Sequence, residues 1–254
     1  MSRNFELLQN LGKDQALLEV AAPAVTAPAT QVAELPRAVG PQLKLEPTEQ
    51  EQLTKLVQRV FLLPGAEASR LVVFTASESG NGASWICARA AETLAAQVGG
   101  TVCLVDANFH NPGLHKEFGV ENCEGFADAL LGPAPICSFA RSLARPNLRL
   151  VSCGSSRETS LPQLGADRVR QKLQQLREEA DYVLIDAAAV NVSGDAAMLG
   201  AAADGIVVVL KANSSRRETA RRVLEDLQES NVRVLGAVLN QRTFPIPEFI
   251  YNKL

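Results

Sequence analysis

The sequence predicts an α/β fold in which a parallel sheet carries helices on both faces. Short apolar segments alternate along the chain with segments of helical periodicity, as in proteins built from strand–helix–strand units. The apolar segments are continuous, a pattern typical of strands that are buried on both faces. A glycine-rich turn, Gly80–Gly82, separates the first of these strands from a long helix. Strand, glycine-rich loop and helix in this order predict a loop that binds phosphate.

Six segments have the length and apolar character of buried strands. They are Leu71–Thr75, Thr101–Asp106, Leu148–Ser152, Tyr182–Asp186, Gly205–Lys211 and Val232–Leu239. Five segments carry apolar residues at helical spacing. They are Thr48–Leu63, Ser84–Val98, Ala166–Ala180, Asp195–Ala202 and Arg216–Ser230. Ser215 and Glu218 have the spacing of a capping box at the start of the last helix.

The first 48 residues are predicted to precede the folded domain, which spans 49–254. Residues 3–19 have the apolar spacing of a short helix, and residues 21–47 contain five prolines. Proline fixes the backbone and removes a donor, so this second segment is predicted to be an extended, flexible tether. A helix on a tether is typical of an element that docks on a partner, although it could equally pack on the domain or stay disordered.

The composition argues against several functions. The net charge of −3 gives no general attraction to nucleic acid or anionic lipid. The densest basic cluster is Arg216, Arg217, Arg221 and Arg222, which we interpret as a solvated helix face with acidic residues interleaved. The five cysteines include no Cys-x-x-Cys pair, which predicts reduced thiols in a cytoplasmic protein. Since no apolar run is long enough to span a bilayer, membrane association is expected only through a partner.

The glycine-rich loop departs from the phosphate-binding pattern at its charged position. A functional loop reads G-x-x-x-x-G-K-[ST]. Gly82 and Ser84 match this pattern, whereas Ser77 replaces the first glycine and Ala83 replaces the lysine. That lysine meets the β- and γ-phosphates, so its loss predicts weak or absent binding of ATP or ADP. By analogy with a lost oxyanion-hole donor, transfer would slow by about 10²–10³. The predicted nucleotide contacts are Ser79, Gly80, Asn81, Gly82, Ala83, Ser84 and Trp85. Taken alone, however, the motif fits a glycine-rich turn without a ligand better than it fits a binding loop.

Two acidic residues close predicted strands. Asp106 ends Thr101–Asp106, and Asp186 ends Tyr182–Asp186. The carboxyl ends of parallel strands meet at one edge of a sheet, so both acids are predicted to lie beside the glycine-rich loop. Together with the hydroxyl of Ser84, the two acids are the predicted Mg²⁺ ligands. If the site catalyses a reaction, Asp106 and Asp186 are also the predicted catalytic residues. Either acid alone would fit an ordinary turn or helix cap as well.

Together these loops resemble the cytoplasmic domain of the bacterial tyrosine kinases that control exopolysaccharide synthesis, the CpsD/CapB-like relatives of the MinD/ParA P-loop ATPases. The resemblance covers about residues 49–254. The family's Gly-Glu-Gly-Lys-Ser/Thr loop aligns with Gly80–Ser84, and its Asp-x-Asp-x-Arg-x-Pro motif aligns with Asp106–Pro112. Its Asp-Thr-Pro-Pro motif aligns with Asp186–Ala189. Leu235–Asn240 resembles a strand that ends in an asparagine beside the adenine, which adds Asn240 to the expected nucleotide site.

The departures from the family fall on positions that carry its chemistry. Besides Ala83, Asn108 stands for an aspartate and His110 for the arginine of the second motif. The tyrosine-rich tail is reduced to Tyr251, the candidate phosphoacceptor. A retained framework with lost charged residues implies a catalytically impaired protein.

The resemblance implies a regulatory role in exopolysaccharide synthesis or export. The expected partner is a membrane-bound chain-length or export protein that holds the N-terminal helix, which would place this cytoplasmic chain at the inner membrane, with self-association as a further expectation. Two alternatives remain open. One is an active tyrosine autokinase that uses a relocated cation such as Arg89 or Lys211. The other is a MinD/ParA-like positioning ATPase that dimerises with nucleotide.

Overall fold

The computed structural model describes residues 46–63, 68–154, 161 and 165–241. The predicted N-terminal helix, the tether up to residue 45 and Tyr251 lie outside these residues. The first described helix begins at Pro47, the last residue of the predicted tether.

The centre of the fold is a seven-stranded sheet in the order β3-β4-β2-β5-β1-β6-β7. Its strands are β1 Leu71–Ala76, β2 Val102–Ala107, β3 Ala140–Ser142, β4 Leu148–Val151, β5 Tyr182–Ala187, β6 Gly205–Lys211 and β7 Val234–Asn240. Every neighbouring pair is parallel except β3 with β4, which is antiparallel. All six predicted strands are present. The edge strand β3 was not predicted, because its three residues, none of them buried, carry no periodic signal.

The five helices predicted between 48 and 230 are present, and the described segments contain two further short helices. The helices are α1 Pro47–Val57, α2 Ala83–Gln97, α3 Leu114–Glu117, α4 Phe126–Leu131, α5 Ala166–Glu179, α6 Asp195–Ala201 and α7 Arg217–Glu229. A π-helical turn, Gln58–Leu62, extends α1, and a 3₁₀ turn, Ile136–Phe139, precedes β3. A capping box between Glu46 and Glu49 and the proline at its first position start α1.

The strands read as continuous apolar runs because helices cover both faces of the sheet. In β1, Val72 and Phe74 belong to the apolar cluster that contains α1 and α2. Leu71 and Val73 point the other way, into the cluster formed with α4 to α7. Successive side chains of a strand alternate between faces, so a strand between two cores is apolar throughout. The predicted parallel sheet with helices on both faces is therefore confirmed.

The capping box that we predicted for α7 is wrong. The residue preceding α7 is Arg216, and no side chain caps the helix there. The hydroxyl of Ser215 instead accepts a hydrogen bond from the backbone N–H of Lys211 at 3.0 Å. Ser215 thus stabilises the turn between β6 and α7, at the carboxyl edge of the sheet.

The C-terminus of α2 is held by Asn147, which precedes β4. Its amide nitrogen lies 3.0 Å from the carbonyl oxygens of Ala95 and Val98 and 3.1 Å from that of Gly100. Because these carbonyls have lost helical partners, we expect Asn147→Ala to lower the free energy of unfolding by about 1–2 kcal/mol in urea. Ser142→Ala, a change at an exposed residue of β3, is the control and should stay within about 0.5 kcal/mol. Equal effects of the two changes would contradict this assignment.

Candidate functional site

The glycine-rich loop joins the carboxyl end of β1 to the first turn of α2. Gly80 and Gly82 have φ of +84° and +88°, which L side chains rarely adopt. A Cβ on Gly82 would also collide with the amide nitrogen of Asn240. Gly82 immediately precedes α2, so the loop presents the helix N-terminus at the carboxyl edge of the sheet. This is the position in which backbone N–H groups and the helix dipole favour an anion.

Asn81 holds this loop in place from inside the protein. Its side chain is buried and donates to the hydroxyl of Ser77 at 2.9 Å, with a longer contact to Ser215 at 3.4 Å. Its backbone carbonyl accepts a hydrogen bond from the Asn240 amide at 2.9 Å. The predicted nucleotide residues Asn81 and Asn240 are therefore brought together, and here both amides bind protein groups. The buried Ser77 donates its N–H to the carbonyl of Val209 at 3.2 Å.

Ala83 is the first residue of α2, and its methyl group is packed into the apolar cluster of that face. Its side chain has no donor for a phosphate. Arg89, two turns further along, is fully buried and pairs with Glu92 at 2.7 Å and with Glu117 at 3.6 Å. These ion pairs hold the Arg89 guanidinium between α2 and α3. Lys211 ends β6 in register with Asn240 of β7, at the same edge of the sheet as the loop.

Asp106 and Asp186 are neighbours across β2 and β5, where their Cα atoms are paired in register. Asp106 shapes the loop that follows β2. Its carboxylate accepts hydrogen bonds from the N–H groups of Asn108 at 3.2 Å, Gly113 at 3.1 Å and Leu114 at 3.0 Å. Asp186 is fully buried, and neither of its carboxylate oxygens has a hydrogen-bond partner. The two acids meet at the sheet edge, as their strand-end positions predicted.

Burial raises the pKa of both acids. The pKa of Asp106 rises to about 6, although the three backbone N–H groups act in the opposite direction. The pKa of Asp186 lies well above its usual range, first because of burial and then because of the neighbouring Asp106 charge. The hydroxyl of Ser84 lowers the pKa of Asp186, although its geometry falls short of a full hydrogen bond. The Asp106–Asp186 pair is therefore stabilised by bound positive charge, either a proton or a metal ion.

The oxygen atoms of Ser84, Asp106 and Asp186 suit Mg²⁺ as ligands. Two carboxylates and a hydroxyl are oxygen ligands of the kind that a hard cation prefers. The orphaned oxygens of Asp186 give the clearest indication, because an unpaired buried carboxylate is costly without a counter-charge. A bound Mg²⁺ would neutralise phosphate charge next to the loop. Ser84, Asp106 and Asp186 are the residues that would hold it.

The remaining substituted positions lie in loops that are anchored to β1 and α6. The carbonyl of Ala188 accepts a hydrogen bond from the hydroxyl of Thr75 at 2.7 Å, and the N–H of Val190 donates to the carbonyl of Ala76 at 2.9 Å. His110 lies 3.7 Å from the carboxylate of Asp195, the buried first residue of α6. At His110, which aligns with the family's arginine, this chain has a contact between the loop after β2 and the start of α6.

Other predicted site residues occupy the rim or the core. Ser79 and Gly80 are exposed at the tip of the loop. Trp85 is half-buried against the apolar cluster of the α2 face. The sequence did not reveal that Ser215 and Ser77 anchor Asn81. The one clue to this role was that Ser215 follows β6 at the carboxyl edge of the sheet.

No protein-family model matches the chain. Among curated proteins it is similar to EpsB of Ralstonia nicotianae, which is named as a tyrosine-protein kinase, with 31% identity over 172 residues. That match covers 68% of this chain and 23% of EpsB, so the chain spans less than a quarter of the length of this relative. It is 27% identical to the tyrosine-protein kinase YwqD of Bacillus subtilis, over 66% of this chain and 71% of YwqD.

Solved structures agree on the fold. The kinase domain of the Escherichia coli tyrosine kinase ETK matches with a TM-score of 0.63 and 19% identity, over 72% of this chain and 73% of that one. The chimerical protein CapA2B2 matches with a TM-score of 0.68 and 22% identity, over 76% and 85%. The MinC:MinD complex of Aquifex aeolicus matches with a TM-score of 0.59 and 20% identity, over 73% and 72%.

None of the helices in the described part of the chain is both long and apolar enough to cross a membrane. The resemblance to the tyrosine kinases is confirmed by the relatives, and the α/β prediction is confirmed by the sheet and by the structural matches. The chain is a homologue of the bacterial tyrosine kinases, with the fold of the ParA and MinD P-loop ATPases.

Proposed function

We propose that this chain is a catalytically impaired, tyrosine-kinase-like protein that serves as a regulatory or scaffolding partner in exopolysaccharide synthesis or export. The observation that carries the proposal is the buried methyl group of Ala83 at the start of α2. Around it the framework is retained, with both glycines of the loop and the Asp106–Asp186 pair in position. Binding geometry is kept while the charge that acts on the transferred phosphate is lost.

Nucleotide binding would be weak under this proposal. The N–H groups of Gly82, Ala83 and Ser84 and the α2 dipole would face the phosphates, whereas the Asn81 N–H donates to the carbonyl of Glu78 at 3.4 Å. Asp106, Asp186 and Ser84 would face Mg²⁺. Each charge-assisted hydrogen bond of a lysine contributes about 1.5–3 kcal/mol, and none is available from Ala83. Such a site could sense nucleotide without transferring phosphate at a useful rate.

The proposed partner is a membrane-bound polysaccharide chain-length or export protein. Support comes from another relative, the succinoglycan biosynthesis transport protein ExoP of Rhizobium meliloti, which is 28% identical over 71% of this chain and 23% of ExoP. We propose that residues 3–19, the helix predicted from the sequence, make this contact, and that the chain lies at the cytoplasmic side of the inner membrane. Co-purification with such a partner, lost on removal of residues 3–19, is the measurement that supports this step.

Phosphotyrosine formation tests the main proposal. The whole 254-residue chain is incubated with Mg-ATP beside YwqD, and phosphotyrosine is measured over time. We expect this chain to be at least about 100-fold slower, since a missing transition-state donor costs about 10²–10³ in rate. Rapid transfer that Asp106→Asn abolishes would overturn the proposal, and Tyr251→Phe would then show whether Tyr251 is the acceptor.

An active tyrosine autokinase is the first alternative, and the position of Lys211 favours it. Lys211 lies at the carboxyl edge of the sheet, in register with Asn240, which in turn contacts the loop. If Lys211 replaces the missing lysine, Lys211→Ala abolishes phosphotyrosine formation. Unchanged activity in that variant excludes the relocated cation.

A positioning ATPase is the second alternative. The structural matches to MinD and to the ParA ATPase of Chlorobium tepidum, the latter with a TM-score of 0.55 and 17% identity over 69% and 76%, favour it at the level of the fold. Such a protein would dimerise on binding ATP. A molar mass that stays the same with and without Mg-ATP, measured by light scattering, counts against this role.

A further inference from the structure

A groove of about 530 Å³ lies between the loop after β5 and the first three turns of α7. Its lining includes Val190, Asn191, Arg216, Thr219, Arg222 and Val223. Val223 belongs to the apolar cluster on the α4 to α7 face, whereas the glycine-rich loop leads into α2 on the opposite face. The groove shares no lining residue with the candidate nucleotide site, and it adjoins the same carboxyl edge of the sheet.

The rim of the groove carries positive charge that has no partner within the described residues. Arg216 and Arg222, which line the groove, are exposed, as is the adjacent Arg217, and none of the three forms an ion pair or a side-chain hydrogen bond there. By contrast, Arg221 on the same helix pairs with Glu225 at 2.9 Å. Arg216 and Arg217 also occupy the N-terminal end of α7, where the helix dipole is positive. Cationic side chains are repelled by the helix dipole at that end, so an anionic group bound beside these arginines would offset this repulsion.

The floor of the groove is apolar. Val190 and Val223 line it, and Val192 in the adjoining loop is a large hydrophobic residue left 45% exposed. An occupant that satisfies this surface needs apolar side chains as well as negative charge. Surfaces with an apolar centre and a charged rim are typical of sites that bind peptides.

Acidic residues within the groove distinguish between two anionic occupants. Glu218 and Asp226 line it together with the arginines. A nucleic acid carries a phosphate at every step and would be repelled by both, whereas a peptide can place a carboxylate at the arginines and an uncharged residue beside the acids. We propose that this groove binds an acidic peptide segment of a partner protein, with an apolar side chain on Val190 and Val223 and carboxylates on Arg216 and Arg222.

Occupation of the groove would touch a segment that is joined to the nucleotide loop. The N–H of Val190 donates to the carbonyl of Ala76, the last residue of β1, at 2.9 Å. A partner that contacts Val190 and Asn191 would therefore contact a segment that is hydrogen-bonded to the start of the glycine-rich loop. The proposal itself does not depend on nucleotide, and its test is carried out without ATP.

The test measures fluorescence anisotropy of a short labelled peptide of glutamate and leucine with the whole chain. A glutamate–serine peptide and a labelled DNA duplex are the comparison probes. We expect the glutamate–leucine peptide to bind best, and Arg216→Glu combined with Arg222→Glu to weaken it by about tenfold or more. Arg145→Glu combined with Arg149→Glu, at exposed residues before and within β4, is the matched control and should leave binding unchanged.

Circular dichroism shows whether the charge-reversed variant is folded. If it is not, Arg222→Gln and the salt dependence of wild-type binding take its place, and both should weaken the complex. Tighter binding of DNA, equal binding by the wild type and the Arg216/Arg222 variant, or no binding of the glutamate–leucine peptide would each overturn the proposal. Failure of the proposed kinase-like role would instead appear in the phosphotyrosine assay, which uses neither peptide nor DNA.

Discussion

Ala83→Lys is expected to raise the affinity for ATP about 10- to 100-fold. The substitution places an ammonium group at the first residue of α2, where the helix dipole and the backbone N–H groups already favour phosphate. A charge-assisted hydrogen bond contributes about 1.5–3 kcal/mol, which corresponds to this range of affinity. The turn itself needs no further change at its glycines, because Gly80 and Gly82 already have the left-handed backbone of the loop. Titration calorimetry with Mg-ATP measures the difference.

A variant without the charge separates electrostatics from shape. Ala83→Met adds a chain of similar length at the same position and should leave the affinity close to that of the wild type. If methionine improves binding as much as lysine does, the gain comes from packing and the role assigned to the missing charge is wrong. Wild-type binding as tight as that of Ala83→Lys would show that this loop does not need the lysine.

Most of the fold could be predicted because its signals are local and repeated. Each central strand is an apolar run between two cores, and the chain shows this in consecutive residues such as Leu71–Ala76. The meeting of Asp106 with Asp186 followed from topology, since both close parallel strands and such ends share one edge. Only the order of the strands, which makes β2 and β5 neighbours, had to come from the structure.

The parts of the site that could not be predicted depend on contacts between distant segments. Asn81 contacts Ser215, 134 positions away, so its role as an internal anchor is not visible in the loop itself. Arg89 was a candidate cation because it is basic and lies near the loop in sequence. Its ion pair with Glu117 of α3 occupies it, and the placement of α3 depends in turn on the hydrogen bond from Leu114 to Asp106.

The buried acid pair makes a second prediction, that the stability of the protein falls as the pH rises from about 4 through about 6. A carboxyl group whose pKa is raised by folding contributes stability that is fully present below its unfolded pKa and is lost as the pH rises through its folded pKa. For Asp106 the rise from 3.8 to about 6 corresponds to about 3 kcal/mol. Asp186 is raised as well and adds a loss of the same sign.

Asp186→Asn should remove the part of this pH-dependent loss of stability that Asp186 causes. We expect the variant to be more stable than the wild type near neutral pH and similar near pH 4, as measured by urea unfolding across that range. Mg²⁺ should stabilise the wild type at neutral pH, and stabilise the variant less, because the ion binds the folded state through carboxylate oxygens that the variant lacks.

Asp204 provides a control of opposite sign. Its carboxylate accepts hydrogen bonds from the N–H groups of Arg70 at 2.7 Å and Leu71 at 2.8 Å and pairs with Arg177 at 2.8 Å. Although burial acts the other way, the Arg177 hydrogen bond and these N–H groups hold its pKa below the usual range, so its contribution is present at neutral pH and lost in acid. Asp204→Asn should therefore destabilise the protein at neutral pH, where Asp186→Asn stabilises it. If both variants shift stability in the same direction, the carboxyl pair is not the origin of the pH dependence, and its role as a site awaiting positive charge fails with it.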